Sequence, residues 1–134
     1  MQGAPRFRDV RDPPTQAKLD LALPRHAAAT SIARREVVRC FSVRLHEQLV
    51  ADMTITVNEL VSNALTHGVG GIRMLIYDLG DHVRLEVSDE GDGFLVPHDP
   101  LSHKGLAIVD QLADQWGVRS GSTHVWCSFI VSRH

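Results

Sequence analysis

The sequence predicts an α+β domain, a two-layer α/β sandwich in which three helices cover one face of a mostly antiparallel sheet. Three observations predict it. Apolar residues recur at helical spacing in three segments. Several shorter segments alternate apolar and polar residues strictly, as half-buried strands do. The strands follow one another across short turns, which favours antiparallel neighbours.

The elements follow in order. Residues 1–15 carry Pro5, Pro13 and Pro14 among charges and are expected to form a flexible arm, leaving 16–134 as a single domain. "KLDLALP" places Leu19, Leu21 and Leu23 on one side of a strand. "RHAAATSIARREVVRCF" is helical, with Ala29, Ala33, Val37, Cys40 and Phe41 inward. A second helix is expected from Glu47 to His67, its stripe formed by Leu49, Met53, Val57, Leu60, Ala64 and Leu65. The glycines of "HGVGG" end it. "IRMLIYD" and "HVRLEVS" read as a hairpin around "LGD", with Val83, Leu85 and Val87 inward and Arg84, Glu86 and Ser88 facing water. "FLVPHDPLSHK" is a loop. "GLAIVDQLADQWG" reads as a third helix with Leu106, Val109, Leu112, Ala113 and Trp116 on one face. "GVRSG" and "STHVWCSFIVS" close the chain as a hairpin turning at Ser120–Ser122.

Composition narrows the function. With 43% hydrophobic and 22% charged residues the 134-residue chain can bury a core. A net charge of −2 gives no support for nucleic-acid binding, and 5% aromatics argue against a base-stacking platform. Cys40 and Cys127 lack CxxC spacing and read as buried free thiols of a reducing compartment. The eight histidines include no HxxxH pair and no Cys/His cluster, so a transition-metal site is not expected. No apolar run is long enough for a membrane span, and the N-terminus has no secretory h-region. The expectation is a soluble, cytoplasmic protein.

Two stretches carry chemistry. In "TVNELVSNALTHG", Glu59, Asn63 and His67 recur every four residues. Such positions drift by only ~40° per step on an α-helix, so the three form one ridge at the edge of the apolar face. A carboxylate and a carboxamide one turn apart suit Mg²⁺, which takes few protein oxygens beside phosphate, and a carboxylate can accept a proton from a hydroxyl. Taken alone, this ridge reads first as the solvated edge of an amphipathic helix. In "VSDEGDGF", Asp89 ends a well-patterned strand and can accept a hydrogen bond from an exocyclic amine, while Gly91 and Gly93 let backbone approach a flat ring. A calcium loop fails because Gly91 and Pro100 stand where oxygen ligands belong. A plain turn stays open as the alternative, although it would not require the Asp. A third piece, "HKGLAIV", opens a helix at Gly105, where free N–H groups can meet phosphate with Lys104 beside them. No P-loop motif occurs.

Together, "ExxxNxxxH", strand-then-"DxGxG", a lid and "GL" opening a helix resemble the Bergerat ATP-binding fold of the GHKL superfamily, the histidine kinase-like ATPases. Within it the chain looks most like the anti-sigma factor serine/threonine kinases of bacteria, from Lys18 to the C-terminal "THVWCSF". The resemblance implies ATP and Mg²⁺ as cofactors, with Asn63 holding the metal. It implies that Glu59 orients or deprotonates the attacking hydroxyl, and that His67 lies near the phosphates or lid edge. Asp89 would read the adenine amine, with Gly91 and Gly93 shaping the base pocket. Gly105 and Leu106 would belong to the G2 box beside the triphosphate. That box usually reads GxGL; here His103 replaces its first glycine and could either crowd the phosphates or, protonated, assist Lys104. Lys104, the sole Lys or Arg of the lid, is the candidate for stabilising the transferred phosphoryl group.

The function so implied is phosphorylation of a STAS-type anti-anti-sigma factor, with an RNA polymerase sigma factor as competing partner and transcription regulated by partner switching. The resemblance makes a homodimer plausible and leaves the oligomeric state open; direct contact with nucleic acid or membrane is not expected. The alternative is a nucleotide-binding module that sequesters a partner without transferring phosphate, which His103 favours. A free-standing histidine-kinase catalytic domain is disfavoured, because this layout leaves no room for a helical phosphoacceptor segment.

Overall fold

A hydrophobic stripe along one long helix organises the molecule. The computed structural model describes residues 16–91, 106–118 and 124–131. In chain order the elements are β1 (Leu19–Leu23), α1 (Ala28–Phe41), α2 (Glu47–His67), β2 (Ile72–Asp78), β3 (His82–Ser88), α3 (Leu106–Leu112), β4 (Gln115–Val118) and β5 (Val125–Ile130). The strands form one sheet in the order β1-β2-β3-β5-β4, every adjacent pair antiparallel.

α2 lies over the middle of the sheet against β2, β3 and β5, with α1 on its β1 side and α3 on its β4 side. Its boundaries are those the sequence predicts. His46 caps the start by accepting the Gln48 N–H at 3.0 Å, as N-cap acceptors do for an orphan donor. Its buried stripe is wider than predicted: Val50, Thr56 and Val61 join Met53, Val57, Leu60 and Ala64, while Leu49 and Leu65 are only partly buried. Thr56 buries its hydroxyl without loss because Oγ1 donates to the Asp52 carbonyl at 2.8 Å. Inward residues of the sheet (Leu21, Met74, Val87 and Val125 along one row) alternate as a half-buried antiparallel sheet requires.

Three expectations need correction. Trp116 is fully buried, but on β4 rather than on a helix. α3 stops at Leu112 because Asp114 is captured by β5: its N–H donates to the Ser128 carbonyl at 2.9 Å and its Oδ2 accepts the Ile130 N–H at 2.6 Å. The hairpin strand β3 is not half-exposed, for Arg84 and Glu86 are 7% and 1% exposed. On the outer face Glu86 is salt-bridged to Arg84 and hydrogen-bonded to His124, and Arg84 stacks 4.7 Å from the Trp126 ring centre. Cys127 is buried and Cys40 only partly so; both are free. Among the described residues no helix is long and apolar enough to cross a membrane. The arm expected at 1–15 and the turn at Ser120–Ser122 lie outside the described residues.

Candidate nucleotide site

Three chain segments converge at one end of the sheet. Register fixes which end. Val87 of β3 pairs with Val125 of β5, which pairs with Val118 at the close of β4. α3 runs down to Asp114 at the opposite end of β4, so its first residue, Leu106, is directed toward the Ser88 end. β2 also begins there, with Arg73 paired to Ser88, and α2 terminates immediately before it.

The Glu59/Asn63/His67 ridge is placed by α2. Asn58 accepts from Arg34 of α1, which pins that flank to its neighbour helix. Asn63 lies roughly 140° around the helix from Asn58, five residues on. The ridge therefore occupies the flank away from α1, toward α3. Glu59 and Asn63 are half-buried and His67 is exposed. Leu106, 2% exposed, is core at the head of α3; of the roles expected for it, the structure shows the packing.

Asp89 follows β3 directly and is half-buried. Its Oδ1 accepts the Gly91 N–H at 2.7 Å, an Asx-type turn, and the Val69 N–H at a longer 3.4 Å. Its Oδ2 lies against Gly68: a Cβ built on that glycine would sit 2.1 Å from it. Gly68 is the C-cap of α2. The carboxylate thus rests on the end of the ridge helix, about 7.5 Å along the helix axis from Asn63 at 1.5 Å per residue. Asp89 also borders an open depression of about 600 Å³ on the outer side of the sheet, with Asp20, Arg73 and Glu90 in its lining. That depression offers little to an anionic ligand, because Arg73 is engaged by Asp20 and the remaining charges are acidic. Asp89 Oδ2 rests against Gly68 at the end of α2.

Chemically, this end of the molecule offers a fixed acceptor for an amine and, one helix flank away, a carboxamide and a carboxylate. Among the described residues no group of three His, Cys, Asp or Glu side chains is arranged to hold a metal ion. The donor set suits Mg²⁺ all the same, since that ion commonly takes one protein oxygen, water and phosphate oxygens. Gly93, His103, Lys104 and Gly105 lie outside the described residues. Two residues at this end escaped sequence reasoning. Arg25, in the connection from β1 to α1, bonds the last turn of α2. Gly68 registers in sequence only as a helix terminator; its closeness to Asp89 depends on a contact 21 positions away.

No characterised protein matches the sequence. A family model for the histidine kinase-like ATPase domain matches residues 22–129, from within β1 to near the end of β5 and including every element that builds this site. The five-stranded antiparallel sheet with three helices agrees with that family's fold. The chain belongs to the histidine kinase-like ATPase domain family of the GHKL superfamily.

Proposed function

We propose that the chain is an ATP-dependent serine/threonine protein kinase that acts as an anti-sigma factor, phosphorylating a STAS-type anti-anti-sigma factor and exchanging it for an RNA polymerase sigma factor. The observation that carries the nucleotide part is the Asp89 carboxylate resting on the C-terminal end of the helix that bears Glu59 and Asn63. The sequence resemblance to the anti-sigma kinases supports the rest.

Asp89 accepts the adenine amine, which fixes the base and leaves the triphosphate to run along the α2 flank toward the head of α3. Gly91 borders the base, Leu106 packs at the head of α3 beside the triphosphate, and the exposed His67 stands near the phosphates. Gly93, His103, Lys104 and Gly105 carry the base-loop and phosphate roles implied by their motifs. Asn63 is the protein's oxygen ligand for Mg²⁺, which neutralises phosphate charge when bound. The partner's serine oxygen forms a bond to the γ-phosphorus as the bond from that phosphorus to the β-γ bridging oxygen breaks. ADP leaves, and the serine proton passes to Glu59. Positioning and charge stabilisation supply most of the rate.

A second reading, sequestration of a partner without transfer, is favoured by His103 in place of the G2 glycine. Incubation with Mg-ATP and a serine-bearing antagonist separates the two. Phosphate on the antagonist supports the kinase; a stable complex without transfer supports the sequestering module. Glu59→Ala is expected to lower transfer at least ~100-fold while nucleotide binding is retained. Equal transfer by the variant would remove Glu59 from the mechanism.

A further inference from the structure

Four consecutive residues, 68–71, join the ridge helix to the sheet, and Asp89 is held by them. The last turn of any α-helix leaves carbonyls without intrahelical partners. Here Gly68 N–H returns to the Ala64 carbonyl at 2.9 Å. The Arg25 guanidinium then reaches in from the β1–α1 connection. It donates to the carbonyls of Ala64 at 3.0 Å, Leu65 at 3.2 Å and, across the turn, Gly70 at 2.5 Å. One planar cation therefore ties the end of α2 to the turn that leaves it, an arrangement also favoured by the negative end of the helix dipole.

From the sheet side the same turn receives the strand exit. Glu90 N–H donates to the Val69 carbonyl at 2.8 Å, and Asp89 Oδ1 accepts the Val69 N–H. Gly70 adopts φ +71°, a conformation that suits glycine. At Gly68 the backbone is extended and a side chain would be conformationally allowed, yet its Cβ would fall 2.1 Å from Asp89 Oδ2 and 2.6 Å from the Ala64 carbonyl. The volume a methyl group would take is the volume the Asp89 carboxylate occupies.

We propose that Arg25 and Gly68 are positioning residues for Asp89: Arg25 fixes the 68–71 turn to the helix, and the missing side chain at 68 is the seat of the carboxylate. The proposal rests on the reading of Asp89 as the adenine contact. Neither residue need touch nucleotide; both act through the orientation of one acceptor.

The test measures ATP and ITP affinity by calorimetry on the full chain, because ITP carries an oxo group where ATP carries the amine. Wild type is expected to prefer ATP by at least about tenfold, the worth of a charge-assisted hydrogen bond. Asp89→Asn should erase most of that preference. Arg25→Ala should lower it ~3-fold or more, and Gly68→Ala should bring it near the Asp89→Asn level. Adding Arg25→Ala to Asp89→Asn should lower it no further. The ratio separates a positioning effect from general destabilisation, which would weaken both nucleotides alike. Should Gly68→Ala fail to fold, Arg25→Ala and the double variant decide. An unchanged ratio in Arg25→Ala, with Asp89→Asn losing it, overturns the proposal alone. No preference in wild type, or none lost in Asp89→Asn, overturns the adenine reading and the proposal with it.

Discussion

At the scale of single residues, the outer face of β3 shows where sequence patterning misleads. Arg84, Glu86 and Ser88 alternate with Val83, Leu85 and Val87, and alternation ordinarily means one wet face. Glu86 is nevertheless buried, because its register partner is Trp126 and its two polar partners, the Arg84 guanidinium and the His124 ring, close over it. His124 is 38 positions away, so nothing local in the sequence announces the cluster. Burial pushes the Glu86 carboxyl up, but the His124 hydrogen bond and the Arg84 charge together outweigh it and hold the group below its ordinary 4.5. The unfolded chain therefore takes up this proton more readily than the folded one. The stabilising contribution is complete above pH 4.5 and is lost as pH falls through the depressed folded value. Glu86→Gln should cost about 3–5 kcal/mol near neutrality, since it leaves Arg84 buried without its counter-charge. It should also flatten the acid limb of a urea-stability profile against pH; an acid limb as steep as wild type's would refute the assignment. The Cys127 thiol is likewise pushed up by burial.

At the scale of elements, legibility depended on whether an element's limits are set locally. α2 was readable from end to end because both limits are local: His46 caps its first turn, and Gly68 closes its last. α3 was not readable at its end. "ADQW" continues the helical period, but the Asp114 backbone and carboxylate are both claimed by β5, and Trp116 enters the core from a strand. A sheet partner 14 residues downstream overrides local periodicity, and periodicity alone cannot reveal that competition. The central role of α2 makes a further prediction. Met53, fully buried on its stripe, should cost ~2–5 kcal/mol when cut to alanine, read as a lower urea midpoint. A loss under ~1 kcal/mol would mean that the site collapses around the deletion or that α2 is not the centre of the core.

At the scale of the whole molecule, the ridge of α2, the exit of β3 and the head of α3 come to one end of the sheet because of strand order. β5 inserts between β3 and β4, so the chain must cross over through α3 and return its start to the Ser88 end. The motif residues Glu59, Asn63, Asp89 and Leu106 were legible as residue types at meaningful spacing. That the segments carrying them meet at one end of the sheet was legible only through resemblance to a family, because composition and periodicity do not specify strand order. The seat of Asp89 on Gly68, and the Arg25 clamp behind it, belong to packing between distant segments and had no sequence signal of their own.

The measurement that bears most directly on this account is a calorimetric titration of the chain with ADP and ATP, with and without Mg²⁺, repeated with Asp89→Asn. Saturable binding of both nucleotides is predicted, tighter for ATP when Mg²⁺ is present, and weakened about 10- to 100-fold by Asp89→Asn. Absence of binding by the wild-type chain, or equal affinity in Asp89→Asn, would contradict it.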